Sequence, residues 1–190
     1  MIVSTVGHST HPVHDFIHIL EAHGIRRLVD VRTIPRSRRN PQFNLENLSA
    51  SLHKSGIDYR HFPGLGGLRR PRKDSINTGW RNASFRGYAD YMQSPEFDES
   101  LNALIELASE APTAIMCAEA VPWRCHRSLI ADALVARGIQ AMEIMSATKS
   151  QPHAMTSFAQ VEDQQVTYPA KANSHAESSS LDLPLFSPLE

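Results

Sequence analysis

Cysteine and lysine are scarce in this chain of 190 residues, and long apolar runs are missing. The two cysteines, Cys117 and Cys125, are too few for a disulfide framework or a four-cysteine zinc site, and they fit a reducing compartment. No stretch approaches the roughly 20 apolar residues of a membrane-spanning helix. Met1-Ile2-Val3-Ser4 has none of the positive charge that opens a secretory leader. A cytoplasmic protein without a membrane partner is therefore expected. No internal repeat is present, and the net charge is only -1. That balance hides an uneven distribution. Residues 1–145 hold 17 Lys+Arg against 15 Asp+Glu, and residues 146–190 hold 2 against 5. In the first part only Lys54 and Lys73 are lysines; the other cations are arginines, clustered at 32–39, 69–72 and 81–86 and at Arg124 and Arg127. Arginine suits bidentate phosphate or carboxylate contact, although solvated loops account for the 69–73 cluster equally well.

The apolar pattern alternates between strands and helices. Ile2–Val6, Leu28–Val31, Ile57–Phe62, 113–117 and Ile139–Met145 read as strands. Helical spacing follows Thr10-His11-Pro12, Asn44, Ser84, Ser94-Pro95 and Arg124. Strands alternating with helices predict an α/β fold: a three-layer, Rossmann-like arrangement around a mainly parallel sheet of about five strands. The segment 63–84 lacks periodicity, and Trp80, Phe85 and Tyr88 suggest that it folds back onto the body. One domain over 1–146 is expected. From 147 the chain reads as a flexible acidic tail, disordered for most of 146–180.

In a parallel sheet the loops after the strands share one edge, where open α/β sheets bind ligands. Here those loops are 7–9, 32–43, 63–84 and 117–127. They carry most of the histidine, arginine and cysteine of interest, which argues for one pocket. Glu119 follows a buried strand, so a half-buried carboxylate acting as acid, base or nucleophile is one reading. An ion pair with Arg124 or Arg127 is the other. His8 is a candidate proton carrier, with a hydrogen-bonded structural histidine as the plainer alternative. Cys125 and His126 open a helix beside two arginines, an environment that favours thiolate. Cys117 looks like a small core residue. Cys117, Cys125 and His126 have no standard zinc spacing, so no metal and no other cofactor is expected. Asp30 ends a buried strand, where it can orient Arg32 or cap a neighbouring loop, and a structural ion pair stands beside a catalytic role as its reading. Gly66-Gly67 fits a simple turn as well as a phosphate loop. Ser9, Asp30, Arg32, Ser37, Arg38, Phe43, Gly66, Gly67, Arg81, Arg124 and Arg127 make up the expected substrate-binding set.

Several ordered motifs resemble one family. Gly7-His8-Ser9, V-D-V-R-x-x-P-x-S-R-x-x-x-F from Val29 to Phe43, the L-G-G of 65–67, G-W-R-N-A-S-F-R-G-Y-A-D-Y-M from Gly79, and M-C-A-E-x-x-P-x-x-C-H-R from Met116 are similar to the bacterial domain of unknown function 488 family over about residues 2–145. The resemblance implies a Rossmann-like α/β domain and no settled reaction. Separately, Leu181, Leu183, Leu185 and Phe186 resemble the C-terminal peptide by which bacterial repair and replication proteins dock on the DNA sliding clamp. Ser180 stands where such peptides usually have Gln.

Three functions follow. The first is an enzyme acting on nucleic acid or nucleotides, in DNA repair or maintenance. Glu119 and His8 would do the chemistry, Arg32, Arg38 and Arg127 would clamp phosphate, and Phe43, Tyr59, Trp80 and Trp123 would stack on bases. The second is cysteine-dependent sulfur transfer, redox or phosphatase-like chemistry with Cys125 as nucleophile. The third is a module that binds nucleic acid or an anion without turnover.

Overall fold

A computed structural model describes residues 1–170. The expected docking peptide at 180–186 lies outside the described residues. Five strands run parallel: β1 (Ile2–Gly7), β2 (Arg27–Asp30), β3 (Asp58–His61), β4 (Thr113–Cys117) and β5 (Gln140–Ser146). A sixth, β6 (Lys149–Pro152), pairs antiparallel with β5. The order across the sheet is β3-β2-β4-β1-β5-β6. The helices are α1 (Val13–Ala22), α2 (Leu45–Lys54), α3 (Ala83–Tyr91), α4 (Pro95–Glu110) and α5 (Arg127–Ala136).

Strand order decides which face each helix covers. From β1 to β2 to β3 the chain steps in one direction, so right-handed crossovers put α1 and α2 on one face. It then steps back to β4 and on to β5, which sends α3, α4 and α5 to the other. The core divides accordingly. Phe16, Leu20, Leu48 and Leu52 pack with Ala114 and Met116 on one side. Tyr88, Phe97, Leu101, Leu129 and Leu134 pack with Ile115 and Val29 on the other. Successive β4 residues thus point to opposite cores, as the twofold strand period requires. The expected α/β fold with a mainly parallel sheet is present. Among the described residues no helix is long and apolar enough to cross a membrane.

Local chemistry starts the helices. The Asn82 side chain accepts from the amides of Ser84 and Phe85 and opens α3. Ser94 accepts from the Phe97 amide ahead of Pro95 and opens α4. At the start of α1, Pro12 occupies the capping position and no side chain caps the helix. Asn44 opens α2 without capping it, because its Oδ1 accepts from the Ser37 amide at 2.7 Å and gathers in the loop after β2. The long 63–82 segment does fold back. Asp90 accepts from the Arg72 amide, the Ser75 hydroxyl and the Asn77 side chain, and Trp80 packs against Phe85 and Phe158.

The expectation of a flexible tail from 147 is corrected for residues 147–170. They form β6 and a hairpin of β7 (Gln160–Glu162) and β8 (Gln165–Thr167), with Val166 and Tyr168 buried. Polar groups hold this segment. His153 bridges Asp132 and Glu143, at 2.9 Å to each. The Tyr168 hydroxyl donates to Asp132, and Gly79 and Asn77 pair with the Tyr168 backbone. Those partners lie 10 to 91 residues away in sequence, so no local period announces them.

Candidate active site

β1 and β2 flank β4, and the chain leaving each of them turns to the α1/α2 face. The chain leaving β4 turns the opposite way, to α5. Gaps therefore open on both sides of the β4 carboxyl end, where an open α/β sheet takes its ligand. A two-lobed cleft lies there. The larger lobe, on the β1 side, has a volume of ≈ 540 Å³ and is lined by His8, Ser9, Ser37, Arg39, Gly67, Phe85, Cys117, Glu119, Arg124, Cys125 and His126, among others. The smaller, toward β2, has ≈ 340 Å³ and adds Arg32, Thr33 and Arg36. Both lobes touch His8, Ser37, Gly67, Cys117 and His126, so the two are continuous.

Close backbone approach shapes the floor. The β1–β4 pairing runs on past the strands: the amides of His8 and Ser9 donate to the carbonyls of Cys117 and Ala118, each at 3.0 Å. Ser9 then turns with φ of 48°, in the left-handed region. A Cβ on Gly7 would lie 2.0 Å from the Glu119 carbonyl oxygen, so only glycine lets the loop after β4 settle on β1. Gly67 plays the same part for a side chain: its Cβ would lie 2.5 Å from His126 Nδ1. Gly66 faces Thr33 in the same manner. The two glycines are close-packing positions.

Below the floor sits a buried polar cluster. Arg32 Nε donates to both Asp30 oxygens, at 2.9 and 3.1 Å, and its Nη2 donates to the Phe43 carbonyl. The Tyr59 hydroxyl donates to Asp30 at 2.7 Å; burial and the neighbouring carboxylate push its own ionisation far up. Asp30 is fully buried, so the pair is structural, the plainer of its two readings. His8, 1% exposed, stacks on Phe43 with ring centroids 4.1 Å apart. Its Nδ1–H donates to the Ser9 carbonyl at 2.9 Å, and Arg32 Nη1 lies 3.3 Å from Nε2. Burial, helped by the charges of Arg32 and Arg127, lowers its pKa to about 4. At neutral pH His8 is uncharged, with both ring nitrogens engaged, and sits on the cleft wall.

Arg127 was expected to clamp phosphate. Instead it is 1% exposed, with Nη1 donating to Thr5 Oγ1 at 3.2 Å and Nη2 to the Glu119 main-chain carbonyl at 2.6 Å. It ties the loop after β4 to β1. Among the described residues it has no carboxylate partner, and its Nε has no hydrogen-bond acceptor. The Glu119 side chain is exposed on the rim, not half-buried as expected, and pairs with neither arginine. Phe43 is wholly buried, while Arg38 and Arg81 are exposed but do not line the cleft. Of the four aromatics expected to stack on bases, only Trp123 is free, at 65% exposure.

The residue missed by sequence reading is Cys117. Its Sγ lies 4.0 Å from His126 Nδ1, and Cys125 Sγ lies 3.7 Å from the same atom. His126 Nε2–H donates to the Val31 carbonyl at 3.0 Å, which aims Nδ1 at the two sulfurs. Cys125 is the thiol whose pKa is lowered. The Cys117 S–H, His126 and the Arg127 charge together hold it well below the ordinary thiol range despite burial. Cys117 stays protonated, held there by its hydrogen bond to Cys125 and by burial. Only its place at the outer end of β4, the third residue on the same face as Met116's neighbour Ile115, could have hinted that it reaches the edge.

A family model described as "Domain of unknown function DUF488" matches residues 12–134. The chain belongs to this family. The matched span of the DUF488 domain holds Asp30, Arg32, Gly67, Cys117, Cys125, His126 and Arg127, and starts just after Gly7-His8-Ser9. No curated protein and no solved structure matches the chain.

Proposed function

We propose that this DUF488 protein is an enzyme acting on nucleic acid or a nucleotide bound in the two-lobed cleft. One observation carries the reading: Arg36, Arg39 and Arg124 line the cleft, are exposed, and have no carboxylate partner among the described residues. Guanidiniums left open around a concave floor favour a ligand with several anionic oxygens. The larger lobe has room for a nucleotide-sized group. Phe85 on its wall offers flat apolar surface to a base. A place in DNA maintenance, with residues 180–186 docking on the sliding clamp, belongs to the same reading.

The test is fluorescence anisotropy of labelled single- and double-stranded oligonucleotides and of a labelled mononucleotide, at about 50 and about 200 mM salt. Binding that weakens steeply with salt is expected, and clamp association should vanish when residues 180–190 are removed. Absence of binding to all three probes at low salt overturns the reading.

The lowered pKa of the Cys125 thiol, beside His126 and Arg127, favours a second reading, cysteine-dependent chemistry on a small anionic substrate. It predicts that the pH midpoint for Cys125 alkylation lies well below that of a free thiol. An ordinary midpoint removes it.

A further inference from the structure

We propose that Cys117, Cys125 and His126 form a binding site for one divalent metal ion, best matched to Zn²⁺, with its fourth coordination position open to the cleft. The site goes beyond the nucleic-acid reading and does not depend on it. The donor atoms of the three side chains all lie within 4.8 Å of one another, and His126 Nδ1 lies 3.7 and 4.0 Å from the two sulfurs. Tetrahedral zinc, with bonds of about 2.3 Å to sulfur and about 2.0 Å to nitrogen, sets sulfur and nitrogen about 3.6 Å apart and the two sulfurs about 3.8 Å apart. The nitrogen needs to move by only a few tenths of an ångström, and side-chain rotation would have to draw the two sulfurs, now within 4.8 Å, together by up to about 1 Å.

Three further features fit a metal better than a chance cluster. His126 Nε2–H donates to the Val31 carbonyl, the outer contact that orients a ligating imidazole. Gly67 leaves clear the space in front of Nδ1 that any side chain there would fill. The wholly buried Arg127 lacks a carboxylate counterion, and two metal-bound thiolates would set negative charge near it. Two sulfurs and one nitrogen suit zinc over the hard cations. No carboxylate joins the three among the described residues, so the open position is left for water or an anionic oxygen of the ligand. The spacing matches no standard zinc motif because one ligand comes from the end of β4 and the other two from just before α5. A bound ion would also take both thiolates out of nucleophilic service, which separates this site from the cysteine-dependent reading.

The experiment uses the full chain, reduced and stripped by chelator, with Co²⁺ and then Zn²⁺ as probes. One Co²⁺ per chain is expected, with thiolate-to-cobalt charge-transfer absorption that Zn²⁺ abolishes. Cys125→Ser and His126→Ala should each weaken binding by at least about tenfold. On the unsubstituted chain, Zn²⁺ should slow alkylation of both thiols by at least about tenfold, a readout that needs no variant to fold. Cobalt bound without charge-transfer bands, or thiols alkylated at the same rate with and without Zn²⁺, overturns the proposal.

Discussion

His8 shows how burial turns a candidate catalyst into a structural group. Its folded pKa, about 4, lies below the unfolded value of 6.5. The unfolded chain therefore takes up a proton that the folded chain refuses between those values, and stability falls as the pH drops through this window. The lowering corresponds to a loss of order 3 kcal/mol, complete near pH 4. Urea unfolding of the native chain and of His8→Gln, measured at half-unit steps from pH 7 to 4, should show this acid limb flattened in the variant. Equal slopes would mean that His8 is not held neutral. Arg127 makes the same point with charge. Its position in the C-H-R run suggested a ligand contact, yet its guanidinium serves Thr5 and the Glu119 carbonyl. Residue type and motif say which groups a site holds. They do not say which of those groups the backbone consumes.

Elements with an apolar period were legible, and the short polar strands β6, β7 and β8 were not. The stripes Phe16–Leu20 and Phe97–Leu101–Leu104 mark α1 and α4 because burial needs them on one face. β6 reads Lys-Ser-Gln-Pro with every residue exposed, so no alternation betrays it. It is held instead through His153, whose side chain is 4% exposed between two carboxylates. Burial lowers the His153 pKa, but the hydrogen bonds to Asp132 and Glu143 outweigh it and raise the value above 6.5. The stability from this bridge is present in full below pH 6.5 and is lost as the pH rises through the raised folded value. His153→Gln should remove that alkaline loss, as read from thermal unfolding between pH 6 and 9. Tyr168→Phe leaves a buried Asp132 oxygen without its donor and should cost about 1–3 kcal/mol. Hydrogen exchange across 149–168 should rise with it; unchanged exchange would contradict the role assigned to this bridge.

Across the whole molecule, the position of the site follows from strand order more than from any motif. Alternation of strands and helices already placed the polar loops on one edge. The insertion of β4 between β1 and β2 was not readable, because pairing order depends on contacts distant in sequence. That insertion opens a gap on each side of β4 and brings Cys117 to His126. It also leaves Arg36, Arg39 and Arg124 open to the cleft, while the Arg32 guanidinium is spent on Asp30 at the wall of the smaller lobe and Arg127 is spent on Thr5 and the Glu119 carbonyl. The most direct test is the salt dependence of oligonucleotide binding by the native chain and by the triple variant Arg36→Ala, Arg39→Ala, Arg124→Ala. Each arginine that meets a phosphate should lower the slope of log affinity against log salt by about 1, so a drop of about 2–3 is predicted. An unchanged slope in a folded variant would contradict the claim that the cleft holds the anionic ligand.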